Sequence, residues 1–230
     1  MKENIPASAK PAVDRVYNLI ILDESGSMES IKQPTINGFN ELIQSIKHSL
    51  KETPEIDQWV SFYSFNGSGI TGHLPLVHAS HLTYLSDEKY RPDNSTPLYD
   101  AIGMSVNSLR TSIENEKNYQ VLVTILTDGE ENASKEYNFR SISALIADLK
   151  TKGWVFTYIG ANHDVEKTAV SININNYMRF QASEEGTKEM YSKNMSSRRS
   201  YIDKLKSGRH AAGSNFFEDD NEKKGGKHDK

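Results

Sequence analysis

Two stretches constrain the fold more than anything else in the chain. Residues 16–22, VYNLIIL, and residues 119–129, YQVLVTILTDG, are short, rich in branched side chains and almost wholly apolar until their ends. A strand with one wet face alternates apolar and polar residues, whereas a strand apolar on both sides is covered on both sides. The two stretches therefore read as central strands of a sheet with helices on each face. Each runs straight into an aspartate, Asp23 in the first case and Asp128 in the second.

The segments between and beyond them keep the alternation. Apolar residues at Ile36, Phe39, Leu42, Ile43, Ile46 and Leu50 recur at helical spacing, predicting a helix over 35–51 that Pro54 terminates. DQWVSFYSF (57–65) is a strand, NGSG supplies turn chemistry, and ITGHLPLVHA returns antiparallel, with Pro75 placing it at an edge. After a long loop over 79–96, Leu98, Ile102, Val106, Leu109 and Ile113 mark a second helix. Phe139, Ile142, Leu145, Ile146 and Leu149 form the inward stripe of a third helix over 136–151. WVFTYIG is a strand, 163–171 a short helix, YMRFQ a last strand, and 184–206 a final helix. Its inner stripe is Tyr191, Met195, Ile202 and Leu205, and Arg198 with Arg199 reads as its wet face.

Strands alternating with helices predict an α/β fold, a doubly wound, Rossmann-like, mostly parallel six-stranded sheet with one antiparallel edge strand and helices on both faces. The expected organisation is a flexible arm at 1–13, one domain at 14–206 and a disordered tail at 207–230. Ligands of such sheets bind outside the carboxyl ends of the strands, where strand order reverses. If the strands leading to Asp23 and Asp128 flank that reversal, both carboxylates face one crevice.

What else reaches that crevice is a set of hydroxyls. The loop after the first strand reads DESGSM and offers Asp23, Ser25 and Ser27. The loop before the second helix reads STP and offers Thr96, and the loop after the other central strand offers Asp128. All are hard oxygen donors, which suit Mg²⁺, Mn²⁺ or Ca²⁺ rather than zinc or copper. The residues alone leave a plainer account open. Asp and Ser are ordinary helix caps, and Thr96 before Pro97 fits the first positions of a helix.

DESGSM at 23–28, STP at 95–97 and TDG at 127–129 resemble the von Willebrand factor type A domain and its metal-ion-dependent adhesion site. The resemblance spans roughly residues 14–182 in motif order and strand alternation. It implies a Rossmann-like sheet and a divalent cation, normally Mg²⁺, with Mn²⁺ or Ca²⁺ as alternatives. It also implies that Ser25, Ser27 and Thr96 bind the metal directly while Asp23 and Asp128 act at least partly through water. A carboxylate from a protein partner would complete the coordination. Glu24, Glu130 and Glu131 depart from a neutral site and are expected to face solvent. The function implied is a non-enzymatic, metal-dependent protein-binding module, a scaffold or accessory subunit like the stand-alone intracellular prokaryotic members. The alternative is a hydrolase using the same Mg²⁺ on phosphoesters.

Composition narrows the field further. Cysteine is absent, which removes thiolate metal sites, disulfides and a cysteine nucleophile. The formal net charge of −4 gives no general attraction to nucleic acid. No apolar run is long enough to span a membrane and the first residues lack a signal-type apolar core, so a cytoplasmic protein is expected. His73, His78 and His81 lie close in sequence but without a carboxylate or Cys at zinc-ligand spacing, and read as surface residues. Phe216 and Phe217 precede Glu218, Asp219 and Asp220, a pattern that suits a short docking segment for this chain's own metal site or that of a second copy. An inert solvated tail is the other reading.

Overall fold

The computed structural model describes residues 13–208 and 216–217. Six strands form one sheet: β1 (Arg15–Asp23), β2 (Asp57–Asn66), β3 (Gly69–His78), β4 (Tyr119–Thr127), β5 (Val155–Gly160) and β6 (Asn176–Arg179). The helices are α1 (Lys32–Glu52), α2 (Leu98–Ser112), α3 (Phe139–Thr151), α4 (Val165–Ser171) and α5 (Glu184–Lys206), with short 3-10 turns at Gly26–Ile31 and Ala79–His81. The strand order is β3-β2-β1-β4-β5-β6, and every pairing is parallel except β2 with β3. The fold class expected from the sequence is the one observed.

Strand β1 shows how the pattern acts. Val16, Ile20 and Leu22 enter one apolar layer beneath α1 and α5, while Tyr17, Leu19 and Ile21 enter the other beneath α2, α3 and α4. Both faces are dry, so a continuous apolar run is what the position requires. The hairpin edge behaves as Pro75 dictates. Pairing of β3 with β2 is irregular between Val60 and Tyr63, and the Pro75 carbonyl accepts a side-chain bond from the Ser61 hydroxyl at 2.6 Å.

Three expectations need correction. Phe139 is 44% exposed, because α3 begins at that residue behind an Asn138–Ser141 capping box and its first turn overhangs the core. Arg198 is buried, not wet, and only Arg199 of the pair lies outside, bridging to Glu52 at 2.8 Å. Phe216 and Phe217 are no free docking segment. Both are buried, Phe216 packs on Tyr201 at 5.8 Å between ring centroids, and its amide donates to Asn176 Oδ1 at 2.9 Å. The rest of the expected tail, Glu218, Asp219 and Asp220 included, and the arm before Val13 lie outside the described residues.

The burial of that aromatic pair gives a test. Replacing both Phe216 and Phe217 by Ala is expected to cost on the order of 3 kcal/mol, about half the low-end sum for two buried phenylalanines, because the pair sits at the margin of the core. Chemical denaturation of the double variant measures it. An unchanged midpoint would mean that the pair contributes no packing in solution.

Candidate metal centre

Strands β1 and β4 are neighbours, β1 leading one way across the sheet to β2 and β4 the other way to β5. They are the point of reversal, and the crevice expected there is present. Leu22 pairs with Leu126, which sets Asp23 beside Thr127 at the strands' carboxyl ends. Thr127 Oγ1 donates to Asp23 Oδ2 at 2.5 Å, and the Ser25 amide donates to Asp23 Oδ1 at 2.7 Å. Asp23 is thereby fixed from both sides with no solvent exposure.

Three separate loops meet here because their backbones are laced together. The Gly26 amide donates to the Asn94 carbonyl at 3.0 Å and the Asp93 amide to the Glu24 carbonyl at 2.9 Å, tying the 90–96 loop to the first. Asn94 holds a left-handed backbone, φ 65°, at this junction. Thr96 donates its amide to Asn132 Oδ1 at 2.8 Å and accepts the Asn132 amide at 3.1 Å, tying the same loop to the third. Buried Tyr90 adds a hydroxyl bond to the Asp23 carbonyl at 2.7 Å.

All five expected donors come together. Ser25 Oγ and Ser27 Oγ are 3.2 Å apart, and Ser27 Oγ donates to Asp128 Oδ1 at 2.5 Å. A β-carbon built on Gly129 would lie 3.2 Å from Thr96 Oγ1, 3.7 Å from Ser27 Oγ and 3.9 Å from Asp23 Oδ2. Glycine at 129, on the third loop, thus leaves a small space lined by donor oxygens of the first two loops. Gly26, by contrast, needs no special backbone. Its φ is not left-handed and a β-carbon there would make only ordinary contacts. The serines converge because the chain winds into a 3-10 turn at that point.

The hydroxyls of Ser25 and Thr96 do not act as helix caps. Ser25 precedes the 3-10 turn but its side chain caps nothing, and α2 is led by Pro97 with no side-chain cap from Thr96. The first amides of α2 are satisfied from the third loop instead. Tyr99 donates to Glu131 Oε2 at 2.8 Å and Asp100 to Ser134 Oγ at 3.0 Å. Thr96 is left available to the crevice.

Two glutamates expected in solvent are engaged. Glu24 is buried and accepts from the Arg91 amide and the Ser64 hydroxyl, each at 2.5 Å. Glu131 accepts from the amides of Tyr99, Ala133 and Ser134. Carboxylates that satisfy backbone donors are common at helix starts, where the dipole favours them. Of the three, Glu130 alone is exposed as expected.

The electrostatics favour a cation. Burial pushes Asp23 up to about 6, against the bonds from Thr127 and Ser25, and the Asp128 charge adds to the rise. Burial also raises Asp128, and its Oδ2 is buried with no partner among the described residues. A buried carboxylate oxygen without a donor is costly unless something positive meets it. Two buried carboxylates, one of them with an unpartnered oxygen, and three neutral hydroxyls are a fitting set for Mg²⁺ or Mn²⁺. Among the described residues no group of three or more His, Asp or Glu is placed to hold a metal ion, so a zinc-type site, including one from His73, His78 and His81, finds no support there. His73 stacks on Phe62 and bonds Ser64, and His78 bonds Asp57. Thr127 lies outside the five expected residues. Its signal is the TDG string itself, where a hydroxyl beside the aspartate sits one strand from Asp23.

A family-wide sequence profile of the von Willebrand factor type A domain matches residues 19–198. No sequence among the curated proteins matches the chain. Among solved structures, the pilus adhesin SpaC from Lactobacillus rhamnosus GG in its open conformation superposes with a TM-score of 0.57 at 14% identity, covering 87% of this chain and 31% of that one. Proximal thread matrix protein 1 from the mussel byssus gives a TM-score of 0.52 at 16% identity, covering 80% of this chain and 46% of its own. This chain thus spans less than half of either neighbour, and at such identities the likeness is one of fold.

Proposed function

The chain belongs to the von Willebrand factor type A family, and from that premise we propose that it is a metal-dependent protein-binding module. Asp23, Ser25, Ser27, Thr96 and Asp128 would hold one divalent cation, Mg²⁺ with Mn²⁺ or Ca²⁺ as alternatives. The observation that carries this reading is the unpartnered, buried Asp128 Oδ2 beside the space left by Gly129. When bound, the cation would supply a positive centre able to hold an acidic side chain of a partner. The residues themselves position it. Thr127 and the Ser25 amide orient Asp23, Ser27 orients Asp128, and Asn132 with Asn94 sets the loop that carries Thr96.

Glu24 and Glu131 do not oppose an acidic partner in this arrangement, because each is turned into a backbone or hydroxyl contact. A serine nucleophile finds no histidine among its hydrogen-bond partners. Ser27 bonds Asp128 and Ser25, while His163 is held by Tyr158 and the Ala161 carbonyl. The role we assign is that of a scaffold or accessory subunit, with residues 14–206 as the binding domain. The compartment we propose is the cytoplasm, checked by fractionation of the tagged chain. No helix among the described residues is long and apolar enough to cross a membrane.

Capture experiments test the proposal. Partners are expected to be retained by the wild-type chain in Mg²⁺, released by EDTA, and not retained by Asp128→Ala. Retention that is indifferent to both chelator and substitution would remove the metal from the binding reaction. Turnover of a generic phosphoester in Mg²⁺ would favour the hydrolase instead.

A further inference from the structure

On the sheet face away from α2, α3 and α4, a cleft of about 260 Å³ opens between α1 and α5, well removed from the metal centre. Its floor is Asn18 and Leu122 from the two central strands, and its walls include Ser45 and Ile46 of α1 and Ile202 of α5. The volume is far above the roughly 10–15 Å³ that admits a single water. At its base lies Arg198, 6% exposed.

The partners of Arg198 are unusual for a buried cation. Nη1 donates to Asn18 Oδ1 at 2.8 Å and Nη2 to Thr124 Oγ1 at 2.6 Å, both neutral acceptors. Its Nε has no acceptor, and no carboxylate pairs with it among the described residues. Buried arginines are ordinarily paired, because desolvating an ion without a counter-charge is costly. Burial lowers Arg198 only to about 10, so at neutral pH the charge is present. The acceptors are themselves fixed from behind. Asn18 Nδ2 donates to Gln58 Oε1 and to the Trp59 carbonyl, each at 3.2 Å, and Gln58 donates to Ser49. The network holds the guanidinium in place without neutralising it.

The mouth of the cleft is charged but largely self-paired. Arg199 bridges to Glu52 and Lys206 to Glu55, each within 2.8 Å. Asp203 stands at the rim and opposes anions at long range, whereas Arg198 meets them inside, where screening is least.

We propose that this cleft is a binding site for a small oxyanion, a carboxylate- or phosphate-bearing molecule that Arg198 anchors between α1 and α5. A guanidinium with spare N–H groups is well suited to such a ligand. The site is independent of the metal centre, and its failure would leave that reading untouched.

The experiment uses the full chain in EDTA, at ionic strength held constant with chloride, titrated with inorganic phosphate in one arm and succinate in the other. At ten times its dissociation constant, the preferred anion is expected to raise the melting temperature by about 3–6 °C, and the shift to go on rising with the logarithm of its concentration. The arm that responds identifies the anion. Arg198→Met should abolish the response, and its own melting temperature should stay level or rise, because an unpaired buried charge has been removed. If that variant does not fold, Ser45→Phe fills the cleft from α1 without touching Arg198 and should abolish the response equally. Absence of any shift in both arms would overturn the proposal. So would a shift in wild type matched in Ser45→Phe or Arg198→Met, which marks a general salt effect.

Discussion

Millimolar Mg²⁺ or Mn²⁺ is expected to raise the melting temperature of the wild-type chain by about 5–10 °C and to leave Asp128→Ala unmoved. The magnitude follows from mass action. A ligand that binds only the folded state at a hundred times its dissociation constant stabilises by about 2.7 kcal/mol, and in a domain of this size each kcal/mol is worth about 2–4 °C. The folded state alone can provide the site, because its donors come from three loops separated by some seventy and thirty residues and joined only by tertiary hydrogen bonds. Asp128→Ala is the sharper control than a change in Thr96 or Ser25, since it removes the buried oxygen that lacks a donor. Without metal the substitution should be mild, because the carboxylate it deletes is held by one hydroxyl and burdened by burial. A flat metal titration in wild type would remove the cation from this crevice. An equal rise in both proteins would place the binding elsewhere.

The parts of this architecture that the sequence reveals are those governed by period and punctuation. The dry strands β1 and β4 announce themselves as apolar runs, Pro75 marks the irregular edge, and α5 begins and ends where its pattern does. That Asp23, Ser25, Ser27, Thr96 and Asp128 would meet in one crevice was legible because each lies at a strand end or a helix start, in a short string whose residue types are unusual together. What escaped was direction. Charge is visible in a sequence, but whether Glu24 turns to the Arg91 amide or to water depends on a loop over sixty residues away. Glu131 is the same case, since it serves the amides at the start of α2 across a gap of more than thirty residues. Arg198 and Asn194 lie on the buried side of α5, and a hydropathy stripe assigns polar residues to the wet face by construction. Phe216 and Phe217 looked like free anchors because the place of Phe216 on Tyr201, with Phe217 packed against Phe216, is a tertiary contact that no local pattern encodes.

Asp23→Asn is expected to separate the site from the fold more cleanly than any other substitution, stabilising the metal-free chain while abolishing its response to Mg²⁺. Asp23 is fully buried, and burial lifts its pKa from 3.8 to about 6. A carboxyl whose folded value lies above its unfolded value contributes stability below the unfolded value, and loses that contribution as pH rises through the folded one. At pH 7.5 in EDTA the wild-type chain therefore carries a penalty on the order of 3 kcal/mol for holding this group ionised, at about 1.4 kcal/mol per unit. Asparagine keeps the shape and is neutral. Its Oδ1 can accept from the Ser25 amide as the carboxylate does, and its Nδ2 can donate to Thr127 Oγ1 once that hydroxyl turns to the Gly129 carbonyl, 3.0 Å away. Lowering the pH from 7.5 to 5 should recover about 1.4 kcal/mol in wild type relative to the Asn variant, since one unit below a pKa of about 6 the group is mostly protonated. With Mg²⁺ present at neutral pH the order should reverse, because wild type alone gains from the cation. Denaturation of the two proteins at both pH values, with and without metal, reads all of this. If Asp23→Asn were instead the less stable protein in EDTA at pH 7.5, Asp23 would be a structural cap on the end of β1, and the charge that defines the site would have to come from Asp128 alone.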